Sequence, residues 1–150
     1  MSNYAAPAEL APRELRAWRG FLRAHTALTR ELDAELVAAH GLPLTSYEVL
    51  LWLARAPEDR MRMSELAESV LLSRSGLTRL VDRLARDGLI ERQRCDEDAR
   101  GWWATLTPKG RALFDEARHT HLDGVRRLFA GAFSDEELES LGRWFERLGG

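Results

Sequence analysis

Residues 73–84 read Ser-Arg-Ser-Gly-Leu-Thr-Arg-Leu-Val-Asp-Arg-Leu (SRSGLTRLVDRL). Leu77, Leu80, Val81 and Leu84 recur at steps of three and four, the spacing that puts side chains on one side of a helix. Arg74, Ser75, Thr78, Arg79 and Asp82 fall on the other side, and Arg86 extends it. Ser73 suits the N-cap, where its hydroxyl can accept from an unpaired amide of the first turn. Gly88 stands where a left-handed residue ends a helix. The stretch therefore predicts a helix running to Asp87, with one apolar face and one polar face rich in arginine.

The elements on either side place this helix in a larger unit. Upstream, Ser64 to Val70 carries Leu66, Ala67 and Val70, enough for a two-turn helix, and only Leu71-Leu72 separates the two. Before that, Thr45-Ser-Tyr-Glu48 has the form of a capping box and predicts a helix from Ser46 to about Arg55, ended by Pro57. Its apolar residues Tyr47, Val49, Leu50, Leu51, Trp52 and Leu53 cover most of its circumference, which marks a central, buried element. Earlier still, Leu15, Trp18, Leu22, His25, Leu28, Leu32 and Leu36 form one stripe from Arg13 to about Ala39, stopped by Gly41. The first dozen residues carry Pro7, Pro12 and several alanines and should fray.

Downstream, Leu89 to Arg94 and the β-prone run Trp102 to Thr107 flank the acidic turn Cys95-Asp-Glu-Asp-Ala-Arg-Gly101, which reads as a hairpin. Adjacent tryptophans on a strand point to opposite faces, so one of Trp102 and Trp103 should pack inward while the other covers the turn or lies exposed. Thr107-Pro108 is an N-cap followed by proline at the first helical position, opening a helix through about Ala132. On one side it carries Leu113, Phe114, Ala117, His121, Val125, Leu128 and Phe129. Ser134-Asp-Glu-Glu137 is a second capping box and opens a last helix that buries Leu138, Leu141, Trp144, Phe145 and Leu148. The expected fold is mainly α with a small β-hairpin wing, a winged helix-turn-helix between long flanking helices.

Composition bounds what such a chain can do. At 150 residues, 45% apolar and 31% charged, it is long enough for one domain with its own core. One cysteine, Cys95, excludes an internal disulfide framework and any site built from several thiolates, and fits a reducing cytosolic setting. No window approaches 18 consecutive apolar residues, and the opening MSNYAAPAELAPREL lacks the basic and apolar regions of an export signal, so neither export nor membrane insertion is expected. The net charge of −2 argues against a nonspecific polycation. Its distribution is uneven, with six arginines against three acids from Ser73 to Arg94 and five against eight from Phe114 to Leu148. One basic surface on an acidic body follows. The four histidines, His25, His40, His119 and His121, make no HExxH, and no glycine-rich phosphate loop or activated nucleophile is present, so neither catalysis nor a cofactor is expected.

Taken in order, TSYEVLLWL (45–53), SELA (64–67), SRSGLTRLVDRL (73–84), DGLIER (87–92), Asp98-x-Arg100 and LTPKG (106–110) resemble the MarR-type transcriptional regulators over about residues 42 to 118. The resemblance implies that residues 44–108 form a DNA-binding core and that residues 1–40 and 109–150 of the same single domain join two copies. It also implies that Arg100 enters a minor groove from the wing while Asp98 holds the loop. Arginine suits that place because a narrow minor groove concentrates negative potential.

Elementary recognition chemistry agrees with the expected role of the 73–87 helix. An α-helix fits the major groove and reaches base edges with its amino-terminal side chains. Ser73, Arg74, Ser75, Thr78, Arg79 and Arg83 are accordingly the expected DNA contacts. Arginine can pair bidentately with guanine, while serine and threonine read several bases.

Trp18, Leu22, Phe129, Phe133, Leu141, Trp144, Phe145 and Leu148 provide more apolar surface than a winged domain can cover. An intertwined homodimer on an inverted-repeat operator is expected, its two recognition helices roughly 34 to 36 Å apart. The resemblance further implies a pocket for a small aromatic or phenolic effector, for which Phe21, His25, Tyr47, Trp52 and His121 are candidates, although aromatics at helical spacing also serve as ordinary core. Cys95 lacks a second cysteine to resolve an oxidised thiol, which argues against a redox-sensing role. The competing expectation is a winged-helix module that binds protein and has no sequence-specific hold on DNA.

Overall fold

The computed structural model describes residues 9–70, 72–95 and 101–149. Six helices and one three-stranded sheet follow in the order α1 (Pro12–His40), α2 (Leu44–Arg55), β1 (Arg60–Arg62), α3 (Met63–Ser69), α4 (Arg74–Arg86), β2 (Ile90–Arg94), β3 (Trp102–Leu106), α5 (Pro108–Leu128) and α6 (Asp135–Gly149). Short 3-10 turns occupy Pro57–Asp59 and Ala130–Ala132. The sheet is antiparallel with strand order β1-β3-β2.

Most elements lie where the periodicity puts them. α1 ends at Gly41, whose φ of 63° lets its amide bond the last turn at the Val37 carbonyl. α6 opens with the expected reciprocal box, in which the Glu137 amide donates to Ser134 Oγ and the Ser134 amide to Glu137 Oε2.

Three expectations need correction. α2 starts at Leu44, ahead of the Thr45 box, and no side chain of its own caps it. Asp33 of α1 accepts from the Leu44 amide instead, at 2.8 Å, so a tertiary contact replaces the local cap. The wing is no plain hairpin, because Arg60–Arg62 adds a third strand against β3. Three residues are too few to show an alternation in sequence. The long helix stops at Leu128, and Ala130–Ala132 tightens into a 3-10 turn that brings the Phe129 and Phe133 rings edge to face, 5.5 Å apart.

The core lies among α2, α3, α4, the sheet and the first half of α5. Leu50, Leu53, Leu66, Leu77, Val81, Ile90 and Ala104 are sealed within it, with Leu36 of α1 closing the top. α1 runs along α5, and the helices approach closely at Gly124, where a Cβ would meet Leu32 and Glu35 at 2.7 Å. Arg127 reaches back to Glu35, and His40 Nε2 lies 2.7 Å from Thr120 Oγ1. No single helix among the described residues is long and apolar enough to cross a membrane.

Candidate nucleic-acid interface

α4 is held by its apolar face and displays its polar one. Leu77, Leu80, Val81 and Leu84 are buried, while Ser73 Oγ accepts from the Gly76 amide at 3.1 Å and fixes the start of the helix. Gly88, with φ at 74°, turns the chain out of α4 into β2. Two bonds from the start of α5 secure that exit: Lys109 Nζ donates to the Asp87 carbonyl at 2.8 Å and Thr107 Oγ1 to the Gly88 carbonyl at 2.7 Å.

Arg74, Ser75, Arg79 and Arg83 are exposed and Thr78 is half-buried. At about 100° per residue they fall into two rows with Ser75 between them. The Arg74/Thr78 row borders a cleft of about 330 Å³ toward the wing, closed on the far side by Arg62, Met63, Arg92 and Trp102. The Arg79/Arg83 row borders a shallower hollow beside Thr45, at the start of α2. The Thr78 hydroxyl donates back to the Arg74 carbonyl at 2.9 Å and keeps its lone pairs for an incoming donor. Ser73 and Ser75 hydroxyls lie 3.4 Å apart.

Arg92 went unforeseen, because nothing local in the sequence joins it to Asp82. Arg92 Nη1 donates to Asp82 Oδ1 at 2.6 Å, a bond that ties the middle of α4 to the second wing strand. The expectation for the tryptophans is also corrected. Neither is fully inward: both are half-buried, each against a pair of arginines. Arg92 and Arg94 lie 5.0 and 5.6 Å from the Trp102 ring centre, and Arg60 and Arg62 lie 4.8 and 5.4 Å from that of Trp103. The indoles thus space four guanidinium groups across both faces of the wing. The Cys95 amide donates to the Gly101 carbonyl at 2.9 Å at the base of the turn, with Cys95 itself buried. Asp98 and Arg100 lie outside the described residues.

The five effector candidates do not form one group. Tyr47 is buried between Phe114 and His121, with ring centres at 5.6 and 4.5 Å. Burial raises the Tyr47 phenol above its usual pKa against the pull of Arg118 and Arg55, and lowers that of the His121 imidazole. His121 Nδ1 is buried without a hydrogen-bond partner among the described residues. Phe21 stacks outward on α1 between Trp18 and Phe145, 6.4 Å from His25. Trp52 faces away from this group, toward the turn that follows α2. Among the described residues no three His, Cys, Asp or Glu side chains gather as metal ligands.

A family profile described as "MarR family" matches residues 40–101. The HTH-type transcriptional repressor YetL of Bacillus subtilis is 32% identical over 115 residues, which cover 74% of this chain and 68% of YetL. Among solved structures, the MarR family regulator Sco3205 of Streptomyces coelicolor, crystallised with DNA, superimposes with a TM-score of 0.91 at 34% identity, covering 95% of this chain and 90% of its own. AbsC, a MarR family regulator from the same organism, gives 0.89 at 32% identity with 95% of each chain covered.

Proposed function

Because this chain belongs to the MarR family, and is a DNA-binding transcriptional regulator of winged helix-turn-helix fold, we propose that it works in the cytoplasm as a homodimeric repressor on an inverted-repeat operator. Residues 44–108 read the DNA, and residues 1–40 and 109–150 join the two copies. The observation that carries the reading is the α4 face, capped by Ser73, braced to the wing by Asp82–Arg92 and lined by exposed Arg74, Arg79 and Arg83. Arg74 and Ser75 meet base edges, Thr78 and Arg79 meet bases or phosphate, and Arg83 meets phosphate. Arg100, supported by Asp98, enters the adjoining minor groove.

The dimer is supported by what one chain leaves bare. Trp18, Leu22, Trp144, Phe145 and Leu148 on α1 and α6 are exposed, and no residue of α6 is buried. Charge complements the apolar surface: Arg13, Arg16, Arg19 and Arg23 mark the first half of α1, and Asp135, Glu136, Glu137 and Glu139 the start of α6.

Release by a small aromatic or phenolic effector belongs to the same proposal. Its support is the seam between α2 and α5, where the orphan His121 Nδ1 beside Tyr47 can accept from a phenol hydroxyl. Such a compound must favour the dimer geometry that does not fit the operator, since equal affinity for both geometries shifts nothing.

A salt titration of DNA binding by fluorescence anisotropy tests the reading. Neutralised phosphates make the logarithm of affinity fall steeply with that of salt concentration. A flat salt dependence would favour a winged-helix module that binds protein.

A further inference from the structure

β1 is an edge strand of three residues, too short to hold its place in the sheet by its own ladder. Its register nevertheless matters. Arg60, Met61 and Arg62 stand opposite Thr105, Ala104 and Trp103 of β3, and Met61 packs on the core. A slip of one residue would turn Met61 outward and carry an arginine toward the core. Something beyond the ladder must fix where the strand begins.

The entry to β1 is held in an uncommon backbone state. Glu58 and Asp59 have φ of 55° and 54°, a left-handed conformation that residues other than glycine rarely adopt. Two such residues in succession persist only where their surroundings over-determine them. Here the clamp comes from α5. Arg111, in the first turn of that helix, donates to the Asp59 carboxylate and, at 3.2 Å, to the Ala54 carbonyl, which the last turn of α2 leaves open. The planar fork of one guanidinium thus joins α5, the end of α2 and the turn.

The turn is connected onward to the wing. Glu58 pairs with Arg60 at 2.5 Å, and the Arg60 and Arg62 guanidinium groups lie 4.8 and 5.4 Å from the Trp103 ring centre. Trp103 stands near the start of β3, the strand that follows the segment carrying Asp98 and Arg100. The opposite face of the same sheet is tied to α4 by Asp82–Arg92. One ion pair therefore grips the wing from the recognition helix and a second from α5, the helix that meets α1 at Gly124 and Glu35. The side chains of Arg111 and Asp59 are 35% and 38% exposed, so their pairing adds little to global stability. Its effect is on direction.

We propose that Arg111 and Asp59 are positioning residues for DNA recognition. Their pair fixes the left-handed turn and, through β1 and Trp103, the angle at which the wing meets the minor groove, while neither residue touches DNA. The inference rests on the reading of this chain as a regulator whose wing enters that groove. α4 has its own cap at Ser73 and its own apolar face, so breaking the clamp separates the two halves of recognition: the major-groove reading stays and the wing contact is lost.

Dimethyl sulfate footprinting tests this with the full chain saturating a duplex selected from a random pool. The reagent methylates guanine N7 in the major groove and adenine N3 in the minor, so it reports on both grooves at once. Arg111→Met should weaken binding about tenfold, keep the N7 protection and lose the flanking N3 protection, whereas Arg111→Lys, which can still donate to Asp59, restores most of both. Asp59→Asn should behave as Arg111→Met does, and the double variant no worse than either single one, because the two side chains act as a unit. Without DNA, hydrogen exchange at β1 should quicken in Arg111→Met while that of α4 stays as in the parent. Urea midpoints close to the parent's confirm that the variants fold. Equal loss of protection in both grooves, additive losses in the double variant, no rescue by lysine, or unaltered exchange at β1 would each overturn the proposal. A parent chain that protects neither groove would defeat the regulator reading itself; a parent that protects both, with variants that match it, would defeat the clamp alone.

Discussion

At Gly110 an added Cβ would lie 2.1 Å from the Leu89 carbonyl oxygen and 2.8 Å from a Leu106 methyl, because the first turn of α5 sits directly on the bend between α4 and β2. Backbone cannot yield as a flexible side chain can, so Gly110→Ala should cost at least about 2 kcal/mol, read from the urea midpoint. An unchanged midpoint would mean that this junction is looser than described.

His121 gives a pH signature. Burial lowers its pKa, so the unfolded chain takes up a proton first as pH falls. The stability it contributes is present above the usual imidazole value of about 6.5 and is lost as pH falls through it. Glu48, whose pKa burial raises, titrates in the opposite sense, which makes the parent chain the necessary comparison. Between about pH 7.5 and 5.5 the parent should lose more stability than His121→Gln, and parallel curves would remove His121 from the account. Arg74→Ala should cost about 1–3 kcal/mol of operator affinity with folding unaffected, the range expected for one base-reading arginine.

Helices were legible where chemistry is local. The four-residue rhythm of Leu77, Leu80, Val81 and Leu84, with Ser73 before it and Gly88 after it, gives α4 almost to the residue. The start of α2 was not legible, because its cap is Asp33, eleven residues upstream on another helix. Nor was β1, whose pairing with Trp103, Ala104 and Thr105 exists only once β3 is placed. At the proposed DNA-binding face the arginines of α4 could be read from helical spacing, while Arg92 could not, since it reaches that face through the sheet. Asp82 reads in sequence as one more surface acid, yet in the fold it joins the recognition helix to the wing. Asp82→Asn should therefore weaken operator binding severalfold while shifting the unfolding midpoint by less than about 1 kcal/mol, as befits a partly exposed pair. Equal losses of stability and binding would make the bridge a simple structural tie. Ser73→Ala should cost about 1 kcal/mol of stability through loss of the cap.

The whole chain is divided between a closed half and an open one. The core around α2, α3, α4 and the sheet is sealed, whereas Trp18 is 52%, Trp144 53% and Leu148 80% exposed at the other end. The proposed second copy would cover this apolar surface. Trp144→Glu should yield a monomer in light scattering that retains its helix content and loses operator binding. A variant that remains dimeric would move the interface elsewhere.

In the proposed homodimer, two basic helices on one twofold axis would impose their symmetry on the DNA they choose. Selection of bound sequences from a random duplex pool with the purified chain measures this directly. The expected result is an inverted repeat with half-site centres about 10 base pairs apart, protected symmetrically. Enrichment of a single unrepeated motif, or of no motif, would contradict the account.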